Sequence, residues 1–539
     1  MKAMLVLTSA RLGLPEIVSS ALRRSFTRGT VVEASVALWK QSIAKGSPFI
    51  LVIADPLASW GELIQETLNL CGSKVIVFGS IPDNLLGLLG AQRLSYFSEQ
   101  QQALFLSPDA EPNNYSESPA SVFYNTENEL GVKSPMQKRS CERFDFMAEW
   151  NNLGFGSIKS DQSIWAIASK ITIPLENTVA EIRTNGDSLT AYAGLWDIAG
   201  SSLLWFNRSV GPVDSQEWLI IEEFVGAYSY ESSICLPVIS EIPPGYDACV
   251  TMRLDCDEDI LSAKQLYELY KENNIPFSLA IHTSVLEDES HHEFLKSFAA
   301  SGGGVLTHSV NHPVNWGGSY EEAISQVSRS VEAIKSVLGS DTEIKYAVSP
   351  FHQNPTYAVQ GMTDAGLTGF VSGIICNDPE YLFARGGEVP FVARGFISHS
   401  QQCMFHGECM LKGEDQLQIF KKSFDIAKQG KSLFGFLDHP FSSRYAYGWA
   451  SEGARCEAHS EFIDYINSST SKVLYLTEEQ ALDWIALKES VELTLDENGK
   501  ITAEWDLSLV KRGAPEIRYQ NKTISIAELD KFTSGTVRA

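Results

Sequence analysis

The first half of this chain has no histidine. All ten fall from residue 282 onward: His282, His291, His292, His308, His312, His352, His399, His406, His439 and His459. Imidazole is the usual acid–base group and metal ligand near neutral pH. The expected chemistry therefore lies in the second half. Other absences exclude whole classes. Nine cysteines, an odd number, contain no Cys-x-x-Cys pair, which argues against a disulfide framework and a thiolate zinc site. No run of about 18 apolar residues occurs, so no transmembrane segment is expected. The opening MKAMLVLTSARLGLPEIV is broken by Arg11 and shows no cleavage pattern, so the expected location is cytoplasmic. Positive charge is scarce, with 42 Lys and Arg against 67 Asp and Glu and a formal net charge of -25. A nucleic-acid partner is excluded on that ground, because phosphate recognition needs a basic surface. No GxGxxG or P-loop follows the early strands, so nucleotide binding has no support.

What is present is a large globular composition. The chain has 539 residues, 44% hydrophobic and 20% charged, enough for roughly three or four domains. Residues 1–150 begin as strand, helix, strand, helix, strand (AMLVLT, PEIVSSALRRSF, PFILVIAD, SWGELIQETLNL, SKVIVFG), which predicts a small α/β open parallel sheet. From 108 to 150 the sequence is polar and Ser/Pro/Asn-rich, a predicted long loop or linker. Residues 151–245 alternate in short apolar runs and read as a β-rich extension. EIPPGY at 241–246 is a predicted junction, since proline stops helices and sheets. Residues 246–489 carry about seven strand–helix repeats, enough to close or nearly close a parallel α/β barrel. The tail, 490–539, reads as a small C-terminal β appendage with a hairpin turn at DENGK.

Three motifs stand where barrel strands should end, which is where such barrels keep their active sites. RLDCDED follows the apolar ACVTMRL. Residues two apart in extended chain point the same way, so Asp255 and Asp257 can enter one site. One can ligate a metal and the other take a proton. The plain alternative is an acidic turn in which Asp255 or Asp259 caps the next helix. THSVNHP follows VLT. On one helical turn the i, i+4 pair His308 and His312 would share a face and one metal. Asp–His–His leaves open positions, as catalytic sites do. FGFLDHP ends in His439, placed to act as a general acid, and FSSRYAYGW adds Arg444, Tyr445, Tyr447 and Trp449, suited to stacking on a sugar. His352, in SPFHQNP, and His282, closing SLAIH, are candidate lining residues. His399 and His406 read as residues of a surface loop, His291 and His292 as solvated helix-start residues, and His459 as packing or support.

The LDCD and HSVNH motifs resemble those of the NodB-homology polysaccharide deacetylases, carbohydrate esterase family 4. The resemblance covers about residues 247–489. It implies a distorted (β/α)7 barrel, Asp255 as base, and Asp257, His308 and His312 as ligands of a divalent metal. Zinc is the expected ion, with cobalt or nickel compatible with the same ligands. His439 matches the family's general acid. His352, Arg444, Tyr447 and Trp449 are expected to bind substrate. The implied reaction is hydrolysis of an N-acyl, in the first place N-acetyl, group on an amino sugar of a polysaccharide or its precursor, in cell-surface polysaccharide or O-antigen biosynthesis. The family's arginine-containing third motif has no match in YAVSPFHQNP, and NDPEY (377–381) is the nearest candidate for its fourth. Residues 1–150 resemble amidotransferase-like domains without their catalytic Cys and His. The alternatives are another amide hydrolase on this scaffold, of deformylase or cyclic-imide type, and a glycan-binding protein without turnover.

Overall fold

The computed structural model describes residues 3–9, 14–105, 119–135, 137–140, 167–208, 217–371, 385–399, 402–413, 415–442 and 444–529. NDPEY and most of the polar stretch after 106 lie outside them. The N-terminal strands Met4–Thr8, Val31–Glu33, Ile50–Ala54 and Lys74–Phe78 pair in parallel. They are β-branched and leucine-rich, and both faces are covered. Met4, Val6, Ile50, Val52, Ile76 and Phe78 enter one core, and Leu5, Leu7, Leu51, Ile53, Val75 and Val77 enter the other. Such unbroken apolar strands are what a two-sided parallel sheet requires. Ser201–Phe206 continues this sheet in parallel. Asp187–Ile198, Thr178–Thr184, Ala120–Tyr124 and Lys138–Ser140 then extend it antiparallel to nine strands. The polar stretch from 108 is therefore not all loop. ASVFY, five residues set among Ser, Pro and Asn, is a buried strand of the same sheet.

The second half is a curled parallel sheet. Its strands run in the order Ile397–His399, Gly369–Val371, Tyr346–Val348, Gly304–Thr307, Ser278–Ile281, Ala248–Cys256, Leu433–Asp438, Gln402–Met404, with Gly387–Glu388 antiparallel on the first edge. The two outermost parallel strands, Ile397–His399 and Gln402–Met404, are almost continuous in the chain. One stretch thus pairs with Gly369–Val371 and then with Leu433–Asp438, bringing the edges of the sheet together. Val473–Leu476 pairs with the lower part of Ala248–Cys256. Alternation along Ala248–Cys256 sends Val250, Met252, Leu254 and Cys256 to the outer helices. Thr251, Arg253 and Asp255 take the opposite face. Helices on the outer layer are capped as their sequences suggest. Ser319 caps Tyr320–Leu338, and Thr477 forms a capping box with Gln480 on Glu478–Ser490.

The tail does pair as a hairpin, Glu492–Leu495 with Ile501–Glu504. A second hairpin, Glu516–Tyr519 with Lys522–Ser525, adds to Val238–Ile239. Both bury residues in the core of the N-terminal sheet. The two halves meet across buried charge. Arg24 donates to the carbonyls of Arg385 and Glu388, and Arg385 grips Glu222 with two bonds of 2.8 and 2.9 Å. Glu241, inside the predicted junction EIPPGY, is buried and accepts from the backbone N–H of Gly386 and Leu433. The described cysteines are free. No described helix is long and apolar enough to cross a membrane.

Candidate active site

Strand ends of the curled sheet surround a cavity of about 590 Å3, lined among others by Asp255, Asp257, Glu258, His282, His308, His312, Phe351, His352, His406, Glu408, His439, Tyr445 and Tyr447. That volume is ordinary for a small-ligand pocket.

Asp255 is the penultimate residue of its strand and is 1% exposed. The strand runs two residues further than the apolar pattern suggests. The carboxylate is gripped by Arg253, on the same strand and face, at 2.7 and 3.2 Å. Burial pushes the Asp255 carboxyl up, but the Arg253 guanidinium and nearby His308 outweigh it and hold the group well below the usual carboxylate range. Asp255 is therefore ionised, as a base must be. The rest of the acidic run divides its tasks. Asp259 caps the following turn, accepting from Leu261 N at 2.9 Å. Glu258 meets Arg444 at 3.4 Å.

Asp257 lies just beyond the strand, at the centre of three imidazoles. His308 Nε2 is 3.4 Å and His312 Nε2 3.8 Å from its Oδ1, and His439 Nε2 is 3.6 Å from its Oδ2. The His308 and His312 pair does not sit on a helical turn. Ser309 has φ 68° and His312 φ 49°, so the chain folds back in a turn, held by His312 N–H donating to Ser309 Oγ at 2.9 Å. The two rings still come within 4.6 Å, centre to centre. His308 Nδ1 contacts the Val348 carbonyl at 2.9 Å, so Nδ1 carries a proton and Nε2 is the nitrogen turned to Asp257. Burial lowers this imidazole, but Asp257 and Asp255 outweigh it and raise it above the ordinary value. Burial, with His308 beside it, lowers His312 to about 4, so His312 is neutral near pH 7. Asp257 Oδ1 is buried and has no hydrogen-bond partner. A buried carboxylate oxygen left bare is costly. Asp257, His308 and His312 form a group able to hold a metal ion, and the bare oxygen fits that use.

His439 follows Leu433–Asp438. Tyr447 stacks on it at 4.1 Å, nearly parallel. Burial and the adjacent His406 lower it to about 4, against the pull of Asp257. Behind it, Asp438 accepts from the His439 backbone N–H at 2.8 Å and from Trp449 Nε1 at 3.4 Å, and its other oxygen faces His459 Nε2 at 3.1 Å.

Of the residues expected to bind substrate, His352 and Tyr447 line the cavity, and Arg444, exposed, does not, though it pairs with Glu258 of the lining. Trp449 does not face it. Its indole is 8% exposed, packed near Phe405 and His459 and held by Asp438. Tyr445 and Phe351 supply exposed aromatic surface instead, Phe351 lying 4.4 Å from the His312 ring. His399 and His406 are not exposed: both are buried, His399 at the end of Ile397–His399 and His406 two residues past Gln402–Met404. His291 is also buried, 3.2 Å from Asp259, whereas His292 is half-buried. His282 lines the cavity and contacts the Asp257 carbonyl through Nδ1 at 2.6 Å. Arg253 was missed from the sequence, and His406 was read there as a surface-loop residue. Arg253 was visible by the same two-residue alternation that paired Asp255 with Asp257.

Residues 257–370 match the family model for polysaccharide deacetylase. This segment is similar to the polysaccharide deacetylase family. That is the NodB-homology group whose motifs LDCD and HSVNH resemble. The matched segment contains Asp257, His308, His312 and His352, while Asp255 and His439 flank it. No curated protein matches the chain. Among solved structures, it is similar to a candidate polysaccharide deacetylase from Mycobacterium smegmatis at 14% identity and TM-score 0.36, over 48% of this chain and 96% of that one. A family 4 acetyl xylan esterase from Clostridium thermocellum, in complex with a cobalt ion, aligns at 11% identity and TM-score 0.30, over 43% and 89%. A family 4 pseudoenzyme from Bacillus anthracis aligns at 14% identity and TM-score 0.30, over 45% and 67%.

Proposed function

We propose that this protein is a metal-dependent hydrolase that removes an N-acetyl group from an amino sugar. The observation that carries the reading is the bare, buried Asp257 Oδ1 facing two imidazole nitrogens, with an ionised Asp255 and a neutral His439 lining the same cavity. Asp257, His308 and His312 would hold a divalent ion, zinc by ligand type. When bound, such an ion lowers the pKa of water and polarises the acyl carbonyl. Asp255 takes the proton of the attacking water. Arg253 keeps that carboxylate charged and fixed. His439 gives its Nε2 proton to the departing nitrogen. Phe351 and Tyr445 offer flat apolar faces to the sugar, and Arg444 pairs with Glu258 of the lining. The exposed aromatic faces of Phe351 and Tyr445 suit an uncharged sugar ring. Cell-surface polysaccharide assembly is the setting we propose.

The test has two parts. Elemental mass spectrometry of protein purified without chelator or histidine tag should give about one divalent ion per chain, and His312→Ala should lose it. Acetate release is then measured on N-acetylglucosamine oligomers. A metal-replete protein that binds these glycans without releasing acetate would sink the hydrolase reading in favour of a binding protein.

A further inference from the structure

His439 has a partner that the site as described does not use. His406 Nε2 lies 2.8 Å from His439 Nδ1. His406 is 1% exposed and follows Gln402–Met404, the strand beside Leu433–Asp438, which places both rings at adjacent strand ends. Its other nitrogen, Nδ1, is buried and has no hydrogen-bond partner. The nearest carboxylate oxygen is Glu408 Oε1, at 3.7 Å, on a side chain about half exposed. Tyr447 covers both imidazoles, its ring 5.0 Å from His406 and 4.1 Å from His439. The polar atoms therefore form a row from the reaction cavity to solvent: Asp257, His439, His406, Glu408. Nothing in the deacetylation scheme requires a second imidazole here, and a hydrophobic residue would fill the space at less cost.

We infer that His406 is the positioning and proton-supplying partner of His439, and that Glu408 connects the pair to water. This rests on His439 being the acid. With Nε2–H of His406 donated to Nδ1, His439 is held in the tautomer that carries its proton on Nε2, facing the cavity. As the C–N bond breaks, its electron pair stays on nitrogen and takes the Nε2 proton of His439. The Nε2 proton of His406 passes to His439 Nδ1 while His406 Nδ1 takes one from solvent on the Glu408 side. His406 is left neutral with its proton on Nδ1 beside Glu408. The proton that Asp255 took from the attacking water then enters at His439 Nε2, the shared proton returns to His406 Nε2, and the Nδ1 proton leaves through Glu408. No bond other than N–H, O–H and the scissile C–N changes in this transfer.

The relay matters for a poor leaving group and not for a good one. An amide nitrogen must be protonated to leave, whereas 4-nitrophenolate need not be. His406→Phe should therefore cost on the order of 100-fold in kcat on an N-acetylglucosamine oligomer, with KM little changed. Hydrolysis of 4-nitrophenyl acetate should change by no more than about threefold. Equal losses on both substrates would make His406 merely structural and overturn the inference. His406→Gln keeps an N–H near the Nε2 position and should recover part of the amide rate. Glu408→Gln, on an exposed side chain, should lower amide turnover and spare the ester; an unchanged amide rate would remove Glu408 from the path. One readout needs no turnover. In protein labelled with 15N-histidine, the His439 signals should report Nε2–H with Nδ1 accepting a hydrogen bond. A proton on Nδ1 instead would overturn the inference even in an inactive protein. The expected tautomer in a protein that hydrolyses no N-acetyl sugar would support the pairing and overturn the deacetylase reading.

Discussion

A carboxylate becomes a useful base only if its surroundings keep it charged. Asp255 is buried, which alone would protonate it, and Arg253 reverses that outcome. Removing the cation should expose the burial penalty. In Arg253→Met the Asp255 carboxyl should titrate higher, so the fall of kcat/KM on the acid side should begin at a higher pH than in the unaltered protein. An unmoved acid limb would mean that Asp255 is not the base. Stability should fall as well, by about 3–5 kcal/mol, as when one partner of a buried pair is lost. Asp255→Asn is the complementary variant. It should retain its metal and lose on the order of 10²–10⁴ in turnover. Full activity in that variant would remove Asp255 from the mechanism. At this scale much of the site was legible. Asp257, His308, His312 and His439 could be singled out because each stands within a few residues of the end of an apolar run. His406 could not, because the strand before it is only three residues long and lies in an irregular stretch. Trp449 was misplaced because an aromatic after a strand end looks alike whether it faces a sugar or the core.

At the scale of elements, periodicity served best where strands and helices alternate. From residue 247 each apolar run became a strand and each amphipathic segment a helix, because the pattern of burial is the pattern of the fold. It failed where backbone sign matters. Nothing in THSVNHP announces the positive φ of Ser309 and His312, so a helical turn was the natural expectation. The actual turn makes Ser309 more important than a helix would. Its hydroxyl accepts from His312 N–H and fixes the second imidazole. Ser309→Ala keeps the same backbone preference and deletes that acceptor. Metal affinity, measured by calorimetric titration of metal-free protein, should drop about 10–100-fold, as for other supports of metal ligands. An unchanged affinity would show that the turn holds without it.

Across the whole molecule, one carboxylate joins four distant segments. Glu222 on Glu217–Gly226 binds Arg385 of the barrel half, Arg518 of the terminal hairpin and Ser25 of the first helix. Burial pushes Glu222 up, and the Arg385 and Arg518 cations with the Ser25 hydroxyl bring it down to about 2. Its folded value lies below the unfolded one, about 4.3. The stability it contributes is therefore complete above about 4.3 and lost as pH falls through about 2. That contribution is on the order of 3 kcal/mol. Glu222→Gln should lower the melting temperature at pH 7 and flatten the acid dependence of unfolding between those two values. A parallel downward shift at every pH would assign the acid sensitivity elsewhere.

The same seam bears on how such a chain can be inherited. An enzyme whose accessory region is tethered by a loose linker can lose it, trade it or receive a new one by recombination. Here a cut at residue 246 would strip Arg385 of Glu222 and leave Gly386 N–H and Leu433 N–H without Glu241. The barrel would inherit a buried cation and bare amides, and so would any hybrid joined at that point. Exchange of either half at this point therefore requires new partners for Arg385 and for the amides of Gly386 and Leu433.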